Sequence, residues 1–154
     1  AGSFSHLDIQ LKERAVEFVN AQLYASEFNA YIYRDVRYYD TLMKETKTLG
    51  GKVVVLRNEF MIHGVAVLTH EEDRYEVQEM ICAPEDAVKV VESLRHYLGV
   101  SEDEPVLFED GYFLQDVKGE GVAVRLTEKP YIMARALTDD GDAQKLNWYI
   151  NDIT

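Results

Sequence analysis

A single cysteine, Cys82, occurs in the 154 residues. That scarcity excludes an internal disulfide framework and any metal site built from several thiolates, and it points to a reducing compartment. Long apolar runs are missing too: none approaches the ~18 residues of a membrane span, and the N-terminal residues lack the basic-then-apolar plan of a signal peptide. The expectation is a soluble, cytoplasmic protein with no membrane partner. Positive charge is scarce, with 16 Lys and Arg against 28 Asp and Glu and a net charge of −12. This balance opposes the phosphate contacts that dominate non-specific nucleic-acid affinity, so no nucleic-acid partner is expected and a cation is the better-matched ligand. Internal repeats and low-complexity tracts are absent. What is present is a 47% hydrophobic composition at a length typical of one domain, able to bury about 70% of its unfolded surface without metal or disulfide support.

Residues Ala1 to Ser3 have the texture of an expression remnant or a frayed end. Ser5-His6-Leu7-Asp8 fits the hydroxyl-x-x-acid start of a helix, and Leu11, Ala15, Val19 and Leu23, widened by Val16 and Phe18, give that helix an apolar stripe. Tyr31, Tyr33, Tyr38 and Tyr39 crowd the next stretch, where Asp35 can cap a second helix with Val36, Tyr39, Leu42 and Met43 inside and Gly50-Gly51 as its left-handed stop. Two helices are therefore expected before the first strand. Val53–Leu56 and Ile62–Leu68 are apolar without alternation and predict strands covered on both faces. The charged segment Thr69–Asp73 predicts a turn into a third strand, Arg74–Ala83.

Pro84 suits the first position of a helix and Glu85 and Asp86 suit its positive end, while Ala87, Val91, Leu94 and Leu98 form a stripe closed by Gly99. Val106–Phe108, Tyr112–Leu114, Val122–Val124 and Ile132–Ala134 read as short strands, and Asp139–Asp142 as a polar linker before Trp148-Tyr149-Ile150. This order predicts an α+β fold with a mostly antiparallel central sheet and flanking helices.

The two-residue period of a strand places Tyr75, Val77, Glu79 and Ile81 on one face. Glu79 is then a carboxylate among apolar neighbours, where desolvation would raise its pKa toward that of a general base. A structural ion pair, for example with Arg125 or Arg135, or a solvated place near a sheet edge is the more ordinary account of such a residue. His63, His70, Glu71, Glu72 and Asp73 lack any fixed ligand spacing such as HExxH, and Asp139-Asp140-Gly141-Asp142 lacks the alternating ligands and distal Glu of a calcium loop, so no metal site is expected. Cys82 has no base at a set spacing and reads as a small core residue. The tyrosine cluster is either aromatic packing or a stacking platform for a sugar or amine.

Tyr33-Arg34-Asp35 with Tyr38-Tyr39 and Leu42, the Gly51–Leu56 strand, Gly64-Val65-Ala66-Val67, Val77-Gln78-Glu79-Met80 and Met133–Leu137 together resemble GNAT-family N-acetyltransferases. The likeness is to the enhanced-intracellular-survival (Eis-like) type, in which two GNAT-like domains precede a sterol-carrier-like domain, and the chain resembles the second of the two. The resemblance implies a GNAT-like domain over residues 4–138, with 139–154 forming a linker and the first strand of a truncated sterol-carrier-like domain. That final segment would be disordered, swapped onto a neighbour, or paired along a sheet edge.

Family members that bind acetyl-CoA carry a Gln/Arg-x-x-Gly-x-Gly/Ala loop between the third strand and its helix, where backbone N–H groups cradle the pyrophosphate. The chain reads Cys82-Ala83-Pro84-Glu85-Asp86-Ala87 there, without glycine and with two carboxylates. The resemblance then implies a helper domain that binds no cofactor itself, in a full-length enzyme that uses acetyl-CoA. Its expected partners are the remaining domains of the same polypeptide, further copies in a homo-oligomer, and a cationic amine substrate drawn by the acidic field. An active acetyltransferase with Glu79 as base and Tyr112 or Tyr149 as acid, and an acidic protein-interaction module, are the competing readings.

Overall fold

A computed structural model describes residues 3–26, 30–59 and 61–109, together with the strands at 124–126 and 148–149. The elements are β1 (Ser3–His6), α1 (Ile9–Ala25), β2 (Ala30–Tyr31), α2 (Val36–Thr48), β3 (Lys52–Arg57), β4 (Ile62–Glu71), β5 (Arg74–Cys82), a 3-10 turn (Pro84–Asp86), α3 (Ala87–Leu98), β6 (Val106–Phe108), β7 (Val124–Leu126) and β8 (Trp148–Tyr149). The fold is α+β. Among the described residues a six-stranded sheet runs β1-β3-β4-β5-β6-β7, antiparallel from β1 through β5 and parallel from β5 through β7. The expected mostly antiparallel sheet is thus a mixed one.

The start of the chain departs from expectation. Ser3–His6 is not a helix start but strand β1, paired with β3 from Ser3 opposite Arg57 to His6 opposite Val54. The capping oxygen comes from Asp8, whose carboxylate accepts from the N–H of Leu11 at 3.0 Å. A four-residue edge strand with one buried apolar side chain, Phe4, carries no alternation long enough to separate it from a capping box. The first strand therefore precedes both helices, and β2 lies between them. The stripe Leu11, Ala15, Val16, Val19 and Leu23 is buried as expected.

Helix α2 is capped by Asp35, which accepts from the N–H of Tyr38 at 2.8 Å, and it buries Tyr39, Leu42 and Thr46 while Val36 is exposed. It stops at Gly50, whose φ of +78° is the left-handed conformation that a glycine adopts without strain. Lys12 of α1 is ion-paired with Asp40 of α2, tying the two helices together. The β4–β5 hairpin turns on two residues, Glu72 and Asp73, with φ of +48° and +66°. Both positive angles match the primed turn whose twist fits a hairpin, although neither residue is glycine.

Helices α1 and α2 lie against β3, β4 and β5, and α3 lies against β1 and β5. Gly64 on β4 shows which face α3 covers: a Cβ there would stand 3.1 Å from Val90 of α3. Opposite residues of paired strands share a face, so Gly64 with Cys82, Ala66 with Met80 and Leu68 with Val77 form the α3 side, and Val65 with Ile81 and Val67 with Glu79 form the α1/α2 side. The core is continuous across the sheet through Val53 to Leu56, Val65 to Leu68, and Met80 to Cys82, all buried.

Among the segments read as strands, Val124 opens β7, whereas Tyr112–Leu114, Val122-Ala123 and Ile132–Ala134 lie outside the described residues, as do Met133–Leu137 and the Asp139–Asp142 linker. Trp148 and Tyr149 pair in parallel with Ala30 and Tyr31. The last strand is therefore placed on the β2 segment and not on the edge of the main sheet.

Candidate functional site

Glu79 and Val77 do not share a face. Val67 of β4 is opposite Glu79 but its neighbour Leu68 is opposite Val77, so Gln78 is an extra residue on β5 and the strand bulges there. A one-residue insertion inverts every side chain on one side of it. Tyr75 and Val77 consequently join the α3 side, while Glu79 and Ile81 join the α1/α2 side. Expecting all four on one face assumed an unbroken period of two, and the bulge breaks it.

On the α1/α2 side Glu79 is 2% exposed, and it meets Arg34, which is 3% exposed. Nη1 of Arg34 donates to Oε1 at 2.5 Å and Nη2 to Oε2 at 2.6 Å, a fork-on-fork geometry. The same Nη1 donates to the Tyr39 hydroxyl at 3.1 Å. Arg34 lies in the segment between β2 and α2, and its backbone is clamped from α1: the Arg34 N–H donates to Oδ1 of Asn20 at 3.0 Å and Nδ2 of Asn20 donates back to the Arg34 carbonyl at 2.7 Å. Its guanidinium lies 5.0 Å from the ring centroid of Tyr38, which stands edge-on to Tyr39 at 5.3 Å.

Burial is the largest influence on Arg34 and opposes its charge, but Glu79 through charge and hydrogen bonding, helped by Tyr39 and Tyr38, outweighs it and holds the guanidinium above its ordinary value. Burial drives the Tyr39 phenol well above its ordinary 10.0 although Arg34 pulls the other way. Tyr39 is therefore a neutral hydrogen-bond acceptor for Arg34 at all ordinary pH. The buried ion pair anticipated for Glu79 is present, with Arg34 as partner where Arg125 or Arg135 had been considered. The side chain of Arg125, in β7, and all of Arg135 lie outside the described residues. The signal that could have singled out Arg34 is its position in the Tyr33-Arg34-Asp35 segment beside a helix cap.

The second candidate region is the turn after β5. Ala83 is extended, with φ −66° and ψ 141°, and Pro84 begins the 3-10 turn. The N–H of Asp86 donates to the Ala83 carbonyl at 3.0 Å, and the N–H of Ala87 to the Pro84 carbonyl. Proline has no N–H, so three of the groups that a helix start could turn toward an anion are missing or spent. Glu85 and Asp86 add carboxylates to the first turn. Asp86 lies 3.7 Å from Nδ1 of His63, whose Nε2 is 2.9 Å from Nδ2 of Asn58.

His70 is stacked edge-on against Tyr75 at 4.7 Å. Among the described residues no three His, Cys, Asp or Glu side chains are placed to hold a metal, and no helix is long and apolar enough to cross a membrane. Cys82 is fully buried, and burial, with lesser contributions from Asp86 and Glu85, pushes its thiol up to about 12. It is an inert core side chain at neutral pH. Tyr38 and Tyr39 serve packing and the Arg34 network, whereas Tyr33 is 73% exposed. Tyr112 and the side chain of Tyr149 lie outside the described residues. No family model, characterised protein or solved structure matches the chain.

Proposed function

We propose that the chain is a GNAT-like helper domain of an Eis-like N-acetyltransferase, cytoplasmic and without a cofactor site of its own. In this reading acetyl-CoA is held by another domain of the same polypeptide, which transfers the acetyl group to a cationic amine, while this domain shapes the acceptor side and carries subunit contacts. Two helices on one face of the sheet, four antiparallel strands, a helix on the other face and a parallel strand beside the last of the four are compatible with such a fold.

The observation that carries the reading is the turn at Ala83–Ala87. A pyrophosphate needs convergent N–H donors at that helix start. Here Pro84 has none, the N–H groups of Asp86 and Ala87 are bonded within the turn, and two carboxylates stand where the anion would bind. Each lost or repelled contact costs on the order of 1 kcal/mol or more. The competing use of Glu79 as a general base is disfavoured because both its oxygens accept from Arg34 and it is sealed from solvent.

Calorimetric titration of acetyl-CoA into the chain should give no binding heat, and micromolar binding would overturn the reading. Acetyl transfer by the chain to a panel of polyamines and aminoglycosides, lost in a folded Glu79→Gln variant, would establish the catalytic alternative instead.

A further inference from the structure

The hairpin turn of β4–β5, the C-terminal end of α3 and the loop entering β6 enclose a half-open cavity of about 540 Å3. It lies at the opposite end of β5 from the Ala83–Ala87 turn, so its occupancy is tested apart from the cofactor question. Its walls are Tyr75, Leu98, Val100, Pro105, Val106 and Leu107, of which Val106 and Leu107 are buried. Its rim carries Asp73 and Glu104, both exposed.

The walls are held in place from behind. Arg95, 4% exposed, donates from Nη1 to the carbonyls of Ser101 at 2.7 Å and Glu104 at 2.6 Å, closing the loop onto α3. The N–H of Val100 donates to the Arg95 carbonyl at 3.1 Å past the left-handed Gly99. A preformed concavity of this size, apolar inside and polar at its mouth, is the usual form of a small-molecule site.

Charge selects the ligand. The turn beside Asp73 also carries Glu72, and the loop before Glu104 carries Glu102 and Asp103, all exposed and outside the lining itself. The cations nearby are engaged: Arg74, on the lining, lies 3.6 Å from Glu76, Arg95 is turned into the loop carbonyls, and Lys52 sits over the rings of Tyr75 and Tyr97 at 4.9 and 5.0 Å. An anion would meet this rim unfavourably, and a purely apolar ligand would leave its charge unused. We propose that the cavity binds a small organic ammonium, its apolar body against Leu98, Val106 and Leu107 and its positive nitrogen at the rim supplied by Asp73 and Glu104.

Benzyltrimethylammonium tests this directly, because it is permanently charged and has no N–H to acetylate. Titrated into the 15N-labelled chain, it should give saturable shifts confined to the amides of Asp73–Tyr75 and Leu98–Leu107. Benzyl alcohol, with the ring and no charge, should bind about fivefold more weakly, and benzoate should give no shifts there. Asp73→Asn and Glu104→Gln, both at exposed positions, should each weaken the ammonium about twofold to threefold, and added salt should weaken it further. Equal binding of benzyl alcohol, shifts that map elsewhere, or no saturable shift at tens of millimolar would each overturn the proposal.

Discussion

Arg34 and Glu79, 45 positions apart in sequence, form a two-pronged ion pair at 2.5 and 2.6 Å that is sealed between α1, α2 and the sheet. A buried pair of this kind adds little over apolar residues of equal volume, but removing one partner strands the other charge. Glu79→Gln should therefore cost about 3 to 5 kcal/mol in urea unfolding, and the double change Arg34→Met with Glu79→Leu should restore most of it. A single-variant loss below about 1 kcal/mol would show that Arg34 finds another partner or reaches water.

Gly51 and Gly99 differ in why they are glycine. A Cβ at Gly51 would stand 2.3 Å from the Leu68 carbonyl oxygen, a backbone atom held in the β3–β4 ladder. A Cβ at Gly99 meets nothing within 4 Å, and only its φ of +69° resists a side chain. Gly51→Ala should cost about 3 kcal/mol through forced separation of the strands, against about 1 kcal/mol for Gly99→Ala. Thermal unfolding of the two variants side by side checks the order, and the reverse order would contradict the packing at β3–β4.

Alkaline pH should loosen the fold through Cys82 first. The unfolded thiol ionises near its ordinary 9.0, while in the folded chain it holds its proton to about 12. Over that interval the native state binds more protons than the unfolded state, so stability falls as pH rises, and the contribution is complete only below 9.0. Tyr39, raised from 10.0, acts in the same direction from higher pH. Urea midpoints should drop between pH 9 and 10, and Cys82→Ala should flatten the slope in that window; an unchanged slope would mean that the thiol is ionised in the folded chain.

Trp148 is the sole tryptophan, and its strand is paired with Ala30 and Tyr31, three residues before the Arg34 seat. A chain ending at residue 147 should show faster amide exchange at Tyr31, whereas the Arg34 N–H, bonded to Asn20, should stay protected because that clamp belongs to α1. Equal loss of protection at both would show that the last strand, and not Asn20, positions Arg34.

The elements whose signals are local were legible in the residues. The four-residue spacing in α1, the Asp35 cap, the Gly50 and Gly99 stops and the proline-led turn before α3 all stand where those residues place them. Each depends on contacts within a turn or two of helix, which the chain satisfies wherever the rest of it goes. The acidic, glycine-free character of Cys82–Ala87 was equally plain, and the structure added that its N–H groups are bonded within the turn.

By itself, then, the sequence determined the α+β class, the cap of α2, the glycine stops of α2 and α3, the apolar strands β3 and β4, and the net acidity. Only the tertiary structure decided that Ser3–His6 is an edge strand, since its pairing with β3 lies some fifty positions away and leaves no local mark. The face and partner of Glu79 were decided in the same way. The period of two fails at Gln78 because β4 and β5 differ by one residue between Val67 and Leu68, a mismatch visible only when both strands are laid together. That single inserted residue turns a carboxylate from the α3 side to the side where Asn20 holds Arg34.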